Sequence, residues 1–224
     1  MTNSTVDIVV DNAKRLLSDA ELLFNNERYG SAVSLAVLSL EEAGKACLIH
    51  WKDEGIVTRD IKNDIRSFHF HKQRVLGCFI AAKEMILALA DYCDHPSKMP
   101  KMDKSHSDFE SDNDFARYLY RTCMTHFASD TAALEYIARR SYEKSAAYRI
   151  VAESRRLDHV KQLGFYVDVD ENLVVKAPFI EPSRALAEEV IALAQEAMTL
   201  SKKNTFLHVA MAAIYENGPM YQKR

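Results

Sequence analysis

The stretch from Tyr29 to Lys52 constrains this chain more than any other. Advanced about 100° per residue, its side chains fall into two unequal arcs. Val33, Leu35, Ala36, Val37, Leu40, Ala43, Ala46, Cys47, Leu48 and Trp51 fill the wide one, interrupted only by Ser39, Gly44 and His50. Ser31, Ser34, Glu41, Glu42, Lys45 and Lys52 share a stripe about 100° across, with Leu38 and Ile49 as its only apolar members. An apolar arc of that width cannot be covered by one neighbour. It suits the central helix of a bundle.

The flanking segments fit that frame. Residues 5–25 place Ile8, Val9, Ala13, Leu16, Leu17, Ala20, Leu23 and Phe24 at helical spacing, with Ser4 or Thr5 as the cap. A connector, Asp53 to Asp64, leads into a third helix expected from about Ser67 to Cys93, with Val75, Phe79, Ala82, Ile86 and Leu89 on its core face. Residues 95–114 are polar and read as a surface loop. Helices follow at about 115–127 and from Asp130 to Leu163. The period then changes. Phe165 to Asp170 alternates, Glu171-Asn172 turns, and Leu173 to Lys176 returns, which predicts a small β-hairpin near residues 165–176. Two more helices are expected at 183–201 and 205–216. The fold class is mainly α, a helical bundle core over 1–164. The hairpin and C-terminal helices of 165–224 pack on the same domain.

Composition excludes several classes. A chain of 224 residues buries a core without disulfide staples, and six glycines and five prolines are too few for a disordered chain. A net charge of -3 rules out a basic field over the whole chain for gripping nucleic acid, though not a local patch. Cys47, Cys78, Cys93 and Cys123 match no zinc spacing and read as buried free thiols. The segment MTNSTVDIVVDNAKRLL lacks the pattern of a signal peptide, and no stretch approaches the roughly 18 apolar residues of a membrane helix. The expected compartment is the cytoplasm. No metal and no cofactor is assigned, because Walker, GxGxxG, GxSxG and HExxH patterns are missing.

Two groups could carry chemistry. The first is the stripe with Glu41, Glu42 and Lys45, spaced for i,i+4 and i,i+3 pairing. Its plain reading is an exposed band of ion pairs; its sharper one is a charged pair facing a cleft. The second is Arg66-Ser-Phe-His-Phe-His71-Lys72-Gln-Arg74, a crowd of cationic groups at a helix start, where an anion such as phosphate is favoured. Its plain reading is a basic helix start with a packed histidine. Arg66 with His71, and Arg121 with His126, repeat an Arg-x4-His spacing. A histidine can move the proton of an RNA 2′-hydroxyl, and a cation can stabilise the charged phosphorane. With 14 Arg and 8 His, chance supplies about as many such spacings, so spacing alone carries no weight.

The same residues carry a resemblance. Arg28-Tyr29-Gly30-Ser31-Ala32 followed by Leu35 to Ala46, with Glu41-Glu42-Ala43-Gly44-Lys45, resembles the first hallmark of the AbiV-type abortive infection family. Phe70-His71-Lys72-Gln73-Arg74 is similar to its second, and Phe165-Tyr166-Val167-Asp168 with the later Pro182 to its third. The resemblance implies a HEPN-like helical bundle and bacterial defence against phage by arrest of growth or translation. It further implies a homodimer and a metal-independent ribonuclease, with RNA and a phage-encoded activator as candidate partners and no membrane. On that basis His71 is the general acid–base, Arg66 and Lys72 stabilise phosphate, and Glu42 orients the basic groups. Arg121 and His126 form a reserve pair. Glu41, Lys45, Arg74, Tyr166 and Asp168 complete the polar cluster, Tyr166 and Asp168 mainly fixing the hairpin to the bundle. The alternative is a non-catalytic module that binds a phage activator or the translation machinery.

Overall fold

A computed structural model describes residues 4–57, 60–66, 75–79, 82–83, 86, 101, 103–128, 161–162, 164, 182–198 and 205–217. Six α-helices are bounded there: α1 Thr5–Asn25, α2 Tyr29–Asp53, α3 Lys62–Arg66, α4 Asp112–Ala128, α5 Arg184–Ala197 and α6 Thr205–Asn217. Residues 75–79, 82–83, 86, 161–162 and 164 are helical as well. No strand occurs among the described residues, and the expected hairpin at 165–176 lies outside them.

Helix α1 starts where Ser4 caps it. The Ser4 hydroxyl accepts from the Asp7 amide, while the Asp7 carboxylate accepts from the Ser4 amide at 3.1 Å, a reciprocal capping box. The hydrogen bonds from Ser4 hold the Asp7 carboxyl below its ordinary range. The helix ends at Asn25–Asn26, and the chain reverses through Glu27, which takes a left-handed φ of 59°. A turn this short makes α1 and α2 antiparallel neighbours. The Ser39 hydroxyl confirms it by donating to the Ala13 carbonyl at 2.8 Å, each residue lying 13 positions from Asn26.

Fifteen of the 25 residues of α2 are buried, more than one face can supply. The helix contacts α1, α3, α5 and α6, which is the central position that its wide apolar arc predicts. Alanines line its closest approaches: Ala13 and Ala20 of α1, Ala32 and Ala36 of α2, and Ala187 and Ala194 of α5 are all fully buried. Ser183 caps α5 by accepting from the Leu186 amide. Val75, Phe79 and Ala82 are buried as expected, with Ile86 partly exposed and Leu89 outside the described residues.

Two connections carry more structure than the sequence reading assigned to them. The connector after α2 is not wholly irregular, because Lys62–Arg66 forms α3 and the buried Asp64 accepts from the Tyr215 hydroxyl at 2.8 Å. The segment 103–111 is a tethered loop. Ser105 caps a 3₁₀ turn at His106–Asp108, and Phe109 packs against Phe115 and Tyr118 with ring centroids 5.3 and 5.0 Å apart. Lys104 lies over both the Phe109 and Tyr118 rings. A window dominated by Ser, Asp and Lys hides one aromatic anchor, and that anchor settles the loop.

The tightest crossing joins α2 to the helical residues around 164. A side-chain carbon on Gly164 would overlap the Gly30 carbonyl oxygen and the Ser34 hydroxyl. Gly164→Ala is therefore expected to cost about 3 kcal/mol or more, as overpacking against backbone that cannot yield. Urea denaturation measures it. Gly55→Ala is the contrast, since Gly55 has a φ of 61° but open space around it, and about 1 kcal/mol of strain is expected there.

Candidate functional site

Geometry divides the α2 stripe in two. Consecutive residues on a helix point about 100° apart, so the neighbours Glu41 and Glu42 face different surroundings. Glu41 is buried, and its carboxylate accepts from Lys161 Nζ at 3.0 Å. Both side chains are under a tenth exposed. Ser34, two turns earlier on the same face, is fully buried and donates to the Lys161 carbonyl at 2.7 Å and the Gly30 carbonyl at 3.1 Å. Lys161 is thus held at both ends, its backbone by a hydroxyl and its ammonium by a carboxylate.

Glu42 and Lys45 form the half-buried part of the stripe. Lys45 Nζ donates to both Glu42 oxygens, at 2.7 and 2.8 Å. The expected Glu41–Lys45 pairing is corrected by this arrangement, since Glu41 is drawn inward to Lys161. The reading of the stripe as a wholly exposed band fails with it, because Ser34 and Glu41 lie in a buried seam. Lys45 and Glu42, at 29% and 18% exposure, remain within reach of an anion or a partner.

Arg66 is exposed at the last position of α3, two residues beyond the buried Asp64. The Asp64–Tyr215 bond fixes the short helix and so places the backbone that carries Arg66. Arg121 is exposed on α4, and position 126 lies further along the same helix. His71, Lys72, Arg74, Tyr166 and Asp168 lie outside the described residues.

A second polar network was missed by sequence reasoning. The indole N–H of Trp51, fully buried, donates to His208 Nδ1 at 3.0 Å. An indole N–H can only donate, so Nδ1 accepts and the neutral ring carries its proton on Nε2. His50 lies edge-on to His208 at 4.7 Å, and Tyr215 edge-on to Trp51 at 5.6 Å. One contiguous set of contacts therefore runs from His50 and His208 through Trp51 and Tyr215 to Asp64. The available signal was His50, which with Ser39 and Gly44 interrupts the apolar arc.

Cys47 and Cys78 are buried, Cys123 is half-buried, and burial pushes the Cys47 thiol up to about 12. Among the described residues no group of three or more His, Cys, Asp or Glu side chains is placed to hold a metal, and no helix is long and apolar enough to cross a membrane.

A family model described as AbiV, of the HEPN class, matches residues 3–199. The chain belongs to the AbiV family of HEPN proteins. No curated protein and no solved structure matches it. The AbiV match spans α1 through α5 and includes the seam of Ser34, Glu41 and Lys161 as well as the Glu42–Lys45 pair. Its family suggests a part in abortive infection, a form of anti-phage defence.

Replacing His208 by Phe keeps the ring volume and removes the acceptor for the buried Trp51 N–H. His208→Phe is expected to lower stability by about 1–3 kcal/mol, the cost of an unsatisfied buried donor. Chemical denaturation followed by circular dichroism measures it. His208→Gln, which can still accept, is expected to lose less.

Proposed function

We propose that this AbiV-family protein is an abortive-infection effector that halts growth or translation of the phage-infected cell by metal-independent cleavage of RNA. The family match over residues 3–199 carries this reading. HEPN domains often dimerise, and a homodimer would supply basic groups from two protomers to one cleft. In that reading His71 accepts the proton of a 2′-hydroxyl, and O2′ attacks the adjacent phosphorus. The bond to O5′ breaks, and the departing oxygen takes up a proton. Arg66 and Lys72 stabilise the charge that builds on the phosphorane oxygens. Glu42 holds Lys45 as an orienting partner, Arg74 adds positive charge, and Arg121 with His126 is the reserve pair. RNA and a phage-encoded activator are the proposed partners. The exposure of Arg66 supports the proposal, since a phosphate can reach it.

One observation favours the second reading, a non-catalytic module that binds a phage activator or the translation machinery. Glu41, part of the Glu-Glu-Ala-Gly-Lys run that resembles the family's first hallmark, is engaged in an internal contact with Lys161. A hallmark residue used that way supports the fold and needs no reaction to explain it.

The test combines a plaque assay with an RNA assay in EDTA. Lys45→Ala breaks a partly exposed pair and is expected to change stability by no more than about 1 kcal/mol, so loss of protection in that variant would report on function. His71→Ala is expected to slow RNA cleavage by about 10²–10⁴-fold, the usual range for removing a general acid–base, and to restore plaque formation. Protection that survives both His71→Ala and Arg66→Ala contradicts the nuclease reading. Protection without any RNA cleavage supports the interaction module.

A further inference from the structure

Helix α6 begins beyond residue 199, where the AbiV match ends, yet it is built into the core. His208, Met211, Ala212 and Tyr215 recur at helical spacing and are all buried, so one face of α6 turns inward. That face meets α2 at a fixed rotation, because the Trp51 indole donates to His208 Nδ1 at 3.0 Å and the Tyr215 ring stands edge-on to Trp51 at 5.6 Å. With its ring held there, the Tyr215 hydroxyl donates to Asp64 of α3 at 2.8 Å. Helix α3 has only five residues, and a helix that short does not persist in water on its own backbone bonds. Ile61 is buried just ahead of it and Ile65 is partly buried against the core, while Lys62, Asn63 and Arg66 are exposed. Apolar contacts of that kind are non-directional and leave the rotation of a single turn loosely set. A hydrogen bond is directional and sets it.

We propose that Tyr215 is a positioning residue for RNA cleavage: through Asp64 it holds α3 in the orientation that presents Arg66 to the scissile phosphate. This rests on the ribonuclease reading and adds to it a helix that the family match does not reach. A guanidinium stabilises a phosphorane best when it is already aimed at the site where charge builds, because a cation that must reorient during the reaction gives back part of its effect. Tyr215 does not touch the reacting atoms in this scheme. It acts on the backbone two residues before Arg66.

Tyr215→Phe keeps the ring against Trp51 and removes the hydroxyl. In the full chain, amide hydrogen exchange of residues 61–66, which include the 3.0 Å bond from the Ile65 amide to the Ile61 carbonyl, is expected to quicken by about tenfold or more, with α1 unchanged. Cleavage is followed in EDTA on a mixed-sequence single-stranded RNA carrying a fluorophore and quencher. There kcat is expected to fall about tenfold while KM stays within about twofold, because Arg66 acts on transition-state charge. In an Arg66→Ala background, Tyr215→Phe is expected to change kcat by less than about twofold. Ser39→Ala, which removes the α2–α1 bond to Ala13, is the stability control: it lowers the urea midpoint and leaves both kcat and the exchange of residues 61–66 unchanged. Unchanged exchange of residues 61–66 in Tyr215→Phe overturns the proposal whatever the activity. Equal losses of kcat with and without Arg66 overturn it, since Tyr215 would then act elsewhere. A matching loss of kcat in Ser39→Ala overturns it as well, since general loosening would explain both. Failure of the ribonuclease reading is told apart because it shows with Tyr215 intact: wild-type protein then cleaves neither this RNA nor total cellular RNA, or Arg66→Ala cleaves as fast as wild type, and the positioning role falls with that reading.

Discussion

An ammonium and a carboxylate taken out of water together must stay together, and the pair Lys161–Glu41 imposes that condition on the centre of this molecule. Each loses several kcal/mol of hydration on burial, and only close pairing with further hydrogen bonds offsets the loss. The Ser34 hydroxyl supplies such a bond to the Lys161 carbonyl, and Gly30 and Gly164 let the two backbones approach closely enough for it to form. A segment 120 residues downstream is thereby held against α2 in a single register. Apolar packing along α2 would be satisfied by several registers, whereas this pair is satisfied by one.

With that register set, α2 becomes the wall shared by distinct parts of the protein. One side holds the seam to Lys161, and the adjoining side carries Glu42 and Lys45 at its edge. Elsewhere along the helix, Ser39 bonds α1 and Trp51 meets α6. Arg117 of α4 reaches the carbonyls of Gly55 and Ile56 just beyond the helix end, at 2.7 and 3.2 Å, and steadies that corner. The short Glu-Glu-Ala-Gly-Lys run thus divides its work by rotation alone. Its first glutamate is internal, and its second, with the lysine, stays within reach of solvent.

Much of this was legible in the sequence because it depends on local period. The apolar arc of α2 marked the central helix, Ser4 and Ser183 marked helix starts, and the Asn25-Asn26-Glu27 break marked the reversal. The i,i+3 pairing of Glu42 with Lys45 was also legible, since both partners sit on one helix. What could not be read is the inward turn of Glu41. Its partner is 120 residues away, and no spacing rule distinguishes a glutamate that meets a distant lysine from one that meets the next turn. The same holds for Trp51 with His208 and for Asp64 with Tyr215, which are joined only when α6 returns to the core. The loop at 103–111 was expected, but its pinning by Phe109 was not, because polar composition outweighed that single aromatic residue.

A double-mutant cycle on Glu41→Met and Lys161→Met, followed by urea denaturation, tests the central claim most directly. Each single change removes one member of the buried pair and is predicted to cost about 3–5 kcal/mol. The double change removes both charges and is predicted to recover at least about 2 kcal/mol relative to the sum of the two, the signature of a direct interaction. Strictly additive losses, or single changes costing less than about 1 kcal/mol, would contradict the account, because the pair would then contribute no more than a surface contact.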